Sequence, residues 1–222
     1  MSQQELKNIL EAAMFAAERP LSLDDLAGLF ESGEWTPERK EIREALDRLA
    51  EEWQERGIEL KQVASGFRFQ VRKEYSGWLA GLWSERPPRY TRALMETLAL
   101  IAYRQPITRG EIEDVRGVSV SPSIIKTLLE REWIRVLGHR DVPGRPELFG
   151  TTRQFLDSFN LKSLDDLPPL SEIKDLDSMP EDLFSTVPVL TVVETPKPES
   201  TPTEEEHDES RAEGEPVTSD AG

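Results

Sequence analysis

The 222-residue sequence contains no cysteine, which removes disulfides, thiolate metal sites and cysteine nucleophiles together and suits a reducing compartment. Histidine is almost as scarce: only His139 and His207 occur, too few for a histidine-based metal site or a Ser-His-Asp arrangement. Neither GxxxxGK(S/T) nor GxGxxG is present, so no backbone phosphate cradle opens a helix. No apolar run approaches the roughly 18–20 residues that span a bilayer. The opening MSQQELKNIL lacks the basic and apolar regions of a secretory leader. These absences predict a soluble, cytoplasmic protein with no cofactor, no metal and no enzymatic activity.

What is abundant is negative charge, and it is unevenly placed. Residues 168–222 hold 15 acidic against 3 basic residues, so they carry twelve of the sixteen net negative charges, together with 8 of the 16 prolines. So few apolar groups cannot offset the conformational entropy of ordering this stretch, which predicts a disordered acidic tail over residues 171–222. One interruption, LFSTVPVLTVV at residues 183–193, is either a chance apolar cluster or a segment that docks on something.

The body of the chain repeats a pattern. Leu6, Ile9, Leu10, Ala13 and Met14 form one helical stripe, and Leu94, Leu98 and Ile101 form another. Each helix stops at a similar signal, Pro20-Leu21-Ser22 and Pro106-Ile107-Thr108. Thr108 with Glu111 reads as a capping box for the next helix, and Ser22 with Asp25 as a looser version. A third helix follows in each half. In the first, residues 37–55 turn Ile42, Leu46, Leu49 and Trp53 inward; in the second, Ser121-Pro122 opens a helix that turns Ile124, Ile125, Leu128 and Leu129 inward. Alternating residues 58–63 and 67–71 around Ala64-Ser65-Gly66 predict a hairpin. Residues 134–137, a long loop to Pro146, and residues 147–149 predict its counterpart.

Helix, short strand, helix, helix and a two-stranded wing describe a winged helix. The fold class is therefore mainly α with small β-hairpins (α+β), as two tandem winged-helix domains at residues 1–84 and 88–167 with the acidic tail behind them. Pro87-Pro88 marks the junction. Tyr90, Tyr103, Trp133 and Phe149 read as core. Trp78, Leu79, Leu82 and Trp83 crowd a short helix beyond the first wing and are candidates for an inter-domain or dimer contact.

Winged helices commonly read DNA with the third helix, so a DNA-binding transcription regulator is the alternative function. Such a helix needs cations against phosphates. Residues 37–55 carry four basic against seven acidic residues, and residues 121–133 two against two, which leaves DNA contact weak or indirect. The adjacent acids Asp24-Asp25 and Asp165-Asp166 sit in SLDDL sequences, where charge in a first helical turn complements the helix dipole; they are not read as a catalytic pair. The only basic cluster is the second wing, with Arg135, His139, Arg140 and Arg145 around a Pro-Gly turn and Arg153 just beyond. Arg140, Arg145, Arg135 and Arg153 are the candidates for binding an acidic partner, and the acidic tail of the same chain can compete for them.

The text METLALIAYRQPITR, the loop GHRDVPGRP, FGTT and FLDSFNLKSLDDLP follow one another between residues 95 and 170, and over this stretch the sequence resembles the segregation and condensation protein B (ScpB) family. The first half agrees more loosely, through residues 6–27 and GFRFQVR. The resemblance implies a homodimer that binds the kleisin subunit ScpA, which bridges an SMC ATPase. It implies a role in chromosome condensation and partition during the cell cycle, at the nucleoid, with dimerisation assigned to residues 1–84 and kleisin binding to residues 88–167. It carries no catalytic residue, and any ATPase activity belongs to the partner.

Overall fold

The computed structural model describes residues 2–31, 33, 35–82 and 90–169; the expected tail, its apolar segment and Trp83 lie outside the described residues. The architecture is α+β, with two hydrophobic cores, the first built from three helices and the second from four, each with a small antiparallel sheet.

In the first half α1 (Gln3–Ala16), α2 (Leu23–Gly28) and α3 (Arg39–Glu52) pack around Leu6, Leu10, Met14, Leu26, Ile42, Leu46 and Leu49, all buried. The stripe is narrower than the sequence suggests. Ile9 stays exposed, because Leu6, Leu10 and Met14 at four-residue spacing already fill the face toward α3. Ser22 and Asp25 form a complete capping box: Ser22 N–H donates to the Asp25 carboxylate at 2.8 Å and Asp25 N–H donates to Ser22 Oγ at 3.1 Å. Strands β1 (Ile58–Val63) and β2 (Gly66–Val71) pair antiparallel from Ile58↔Val71 to Val63↔Gly66. The short strand at Leu21 is reduced to a single bridge, with Leu21 and Phe67 exchanging backbone bonds of 2.9 and 2.8 Å. This bridge presses on the turn: at Gly66, φ +146°, a β-carbon would stand 2.1 Å from the Leu21 carbonyl oxygen, so only glycine fits. Beyond the wing a 3-10 turn leads into α4 (Ser76–Leu79).

The second half repeats the order with α5 (Arg92–Arg104), β3 (Ile107–Thr108), α6 (Arg109–Arg116), α7 (Pro122–Glu130), β4 (Ile134–His139), β5 (Glu147–Thr151) and α8 (Arg153–Ser158). Here the short strand is a true one. Ile107 and Thr108 pair with Phe149 and Leu148, giving the sheet order β3-β5-β4. Thr108 and Glu111 form the expected box, and Gly117 ends α6 at φ +68°. Leu129, read as inward, is exposed, because α7 closes its core with Ile125 and Leu128 and then ends at Glu130. Trp133 is buried between Tyr90 and Phe159, with ring centroids 5.0 and 5.2 Å away, and donates its indole N–H to Ser158. Tyr90 and Phe149 are core as expected; Tyr103 is half-buried and donates to the carbonyl of Pro168.

Candidate partner-binding surface

The second wing begins where Ile134, buried, anchors β4 to the core and the strand then leaves it. From Arg135 onward β4 has solvent on both faces: Val136 is 41% and Leu137 46% exposed. β4 is also the edge of its sheet, so one row of backbone groups faces away from β5. A register shift between Val136 and Gly138 makes Leu137 a bulge, which re-aims its side chain over Gly150. The strand runs two residues further than the sequence suggests, which shortens the connecting loop to residues 140–146. That loop is fixed by its own backbone, with Arg140 N–H donating to Pro146 O and Arg145 N–H to Val142 O, both at 2.9 Å, and with left-handed residues at Gly144 and Arg145.

The four arginines proposed from sequence stand in different surroundings. Arg140 is already engaged: its guanidinium lies 2.9 Å from the Glu111 carboxylate, which also accepts from Thr108 N–H at 2.9 Å. That backbone bond, aided by Arg140, holds the Glu111 carboxyl below its usual range. Arg140 thus fastens the wing to the start of α6. Arg135, Arg145 and Arg153 are exposed, at the base of the wing, at its tip and at the first residue of α8. Among the described residues none of these three side chains has a hydrogen bond or ion pair. Beneath Glu111, an open groove of about 300 Å³ is lined by Arg104, Pro106, Ile107, Asp114 and Val115.

The third helices offer phosphates little. Arg39 of α3 pairs with Asp24, Lys40 with Glu44 at 3.8 Å, and Lys126 of α7 with Glu130 at 3.6 Å. Among the described residues no group of acids and histidines is placed to hold a metal ion, and no helix is long and apolar enough to cross a membrane. Of the residues proposed for self-association, Trp78 is 86% and Leu82 73% exposed, and Leu79 is half-buried.

One polar site was not expected from sequence. Asp157 of α8, only 6% exposed, accepts from Ser65 N–H at 2.9 Å and Ser65 Oγ at 2.5 Å, in the turn of the first wing. Arg68 donates to the Asp157 carbonyl and to Asn160 Oδ1, each at 2.9 Å, and Ala64 N–H donates to Leu161 O at 2.9 Å. Burial lowers the Arg68 pKa, partly offset by Asp157. The only local cue is Asn160, left-handed at φ +59°.

A family model described as segregation and condensation complex subunit ScpB matches residues 8–170. The chain is 57% identical over 180 residues to the segregation and condensation protein B homolog of Coxiella burnetii, covering 81% of this chain and 85% of that one. It is 42% identical over 186 residues to segregation and condensation protein B of Syntrophotalea carbinolica, covering 83% and 91%. Among solved structures, ScpB from Mycobacterium tuberculosis is 34% identical over 72% of this chain and 98% of its own, at a TM-score of 0.34. A dimer of an ScpB N-terminal domain complexed with ScpA peptide is 27% identical over 40% of this chain and 100% of its own, at a TM-score of 0.33.

Proposed function

The chain belongs to the segregation and condensation complex subunit ScpB family, and on that premise we propose that it is a non-enzymatic subunit of the bacterial SMC complex. It acts as a homodimer that binds the kleisin ScpA and, through it, SMC, in the cytoplasm at the nucleoid, supporting chromosome condensation and partition. Residues 1–84 form the dimerising winged helix and residues 88–167 the kleisin-binding one. The observation that carries this reading is the pairing of Arg39 and Lys40 on α3 and of Lys126 on α7 with acids of the same chain. A helix on which acids equal or outnumber the basic residues gains little from displacing counterions on DNA, whereas the second wing leaves an apolar edge strand and arginines exposed.

Co-purification with ScpA of the same organism tests the partner. Changing Arg135 and Arg145 to Ala should weaken ScpA binding roughly tenfold, about 1.4 kcal/mol, with stability held within about 0.5 kcal/mol as is usual at exposed sites. Unchanged binding removes the wing from the interface. A gel shift over a salt series tests the alternative of a DNA reader. If the wing grips phosphates, the same double variant lowers the salt slope by about one for each lost contact; a shallow slope that the variant leaves alone supports the adaptor.

A further inference from the structure

The edge of the second wing is an unusual surface to leave open. Edge strands are normally protected by charge, by bulges or by a covering segment. β4 has its bulge at Leu137, yet Val136 and Leu137 on the strand and Val142 in the loop, 43% exposed, remain in solvent. Arg135 at one end and Arg145 at the other frame this apolar stretch. An occupant that fits is an extended, β-branched segment with acids beside it, adding backbone bonds along the free edge and packing side chains on alternate faces.

The chain carries such a segment. Residues 172–182 hold five acids against one lysine, and residues 183–192 read LFSTVPVLTV, with five β-branched residues. The last described residue before it is Pro169, and the neighbouring Pro168 is held by Tyr103. The twelve residues from there to Glu181 reach at most about 40 Å at about 3.3–3.6 Å per residue, enough to cross a domain of this size. Pro188 is tolerated, since the added strand becomes the new edge and its outer side needs no donor. We propose that residues 181–192 lie along β4 as an added strand in the same chain, and that they compete there with the kleisin partner. The competition, though not the pairing, rests on the partner reading above.

The absence of cysteine allows a clean test on the full chain. A nitroxide on Ser185→Cys should broaden the backbone amides of residues 135–139 relative to the reduced label, and leave those of β1 and β2 unaffected. Adding Val136→Asp and Arg135→Glu, both at exposed positions, should abolish that broadening while the rest of the spectrum stays folded. Broadening spread evenly over the protein, or persisting in the wing variant, overturns the pairing. For the competition, Val189→Asp with Leu190→Asp in the full chain should raise affinity for the ScpA of the same organism several-fold. Unchanged affinity overturns it. If ScpA binding is also indifferent to Arg135 and Arg145, it is the partner surface that fails, and the pairing stands on the broadening alone.

Discussion

Single residues here are held by constraints that differ in kind. At Gly66 the constraint is space, because the Leu21 carbonyl occupies the position a β-carbon would take. Gly66→Ala should therefore destabilise the protein by at least about 2 kcal/mol, read as a lower denaturant midpoint, while Gly110→Ala, where nothing stands within 4 Å, should be neutral or stabilising in its helix. At Glu111 and Glu113 the constraint is electrostatic. Backbone N–H bonds, from Thr108 and Val120 respectively, hold both carboxyls below their ordinary value of 4.5. A carboxyl depressed in the folded state stabilises above its unfolded value and loses that contribution as pH falls through its folded one. Stability should thus hold down to the ordinary carboxylate range and drop below it. Glu111→Gln should flatten that drop in a urea series, and an unaltered acid profile would show that the box and the Arg140 pair contribute nothing to it.

At the scale of elements, the same alternation and capping rules place both wings and the first three helices of each core, though not α8, because a cap and its helix are written within four residues of each other. What the sequence hides is what arises between distant segments. Ile9 and Leu129 satisfy the helical period yet face solvent, since the width of each buried stripe depends on the partner helix. The Asp157 junction is less legible still, being made across a separation of 92 residues by a serine in a turn and an acid that reads locally as a solvated helix position. That junction ties the first wing to α8. Asp157→Ala leaves the Ser65 N–H without its acceptor, at a cost of about 1–3 kcal/mol for buried groups. Ser65→Ala should cost less, and the double variant should fall short of the sum by about 0.5 kcal/mol or more, as for residues in one network. Additive effects would show that the bonds exchange for water at no net loss.

On the scale of the whole molecule, the distribution of charge and apolar surface separates what folds the protein from what the fold leaves exposed. The wing arginines were visible in the sequence as a cluster, but whether they were free was not: Arg140 is committed to Glu111, and only the packing of α6 against the wing decides it. The α4 region presents the opposite case, since its apolar residues were legible and the fold leaves them exposed. Trp78 and Leu82 lie beyond the first core, and Tyr75 beside them is also exposed. A cluster of large apolar side chains left in water marks an interface more often than chance exposure, and the self-complementary patch of a two-fold dimer is the simplest way to cover it. Changing Trp78 and Leu82 to Asp should convert a sedimenting dimer to a monomer. The melting temperature measured under dilute, monomeric conditions should stay the same, because neither side chain is packed in the first core. A variant that remains dimeric places the self-association surface elsewhere. One that unfolds at low concentration instead assigns these side chains to the fold of the first half, and the milder Leu82→Ser, tested for dimerisation at the same concentration, then decides whether they also meet a second copy.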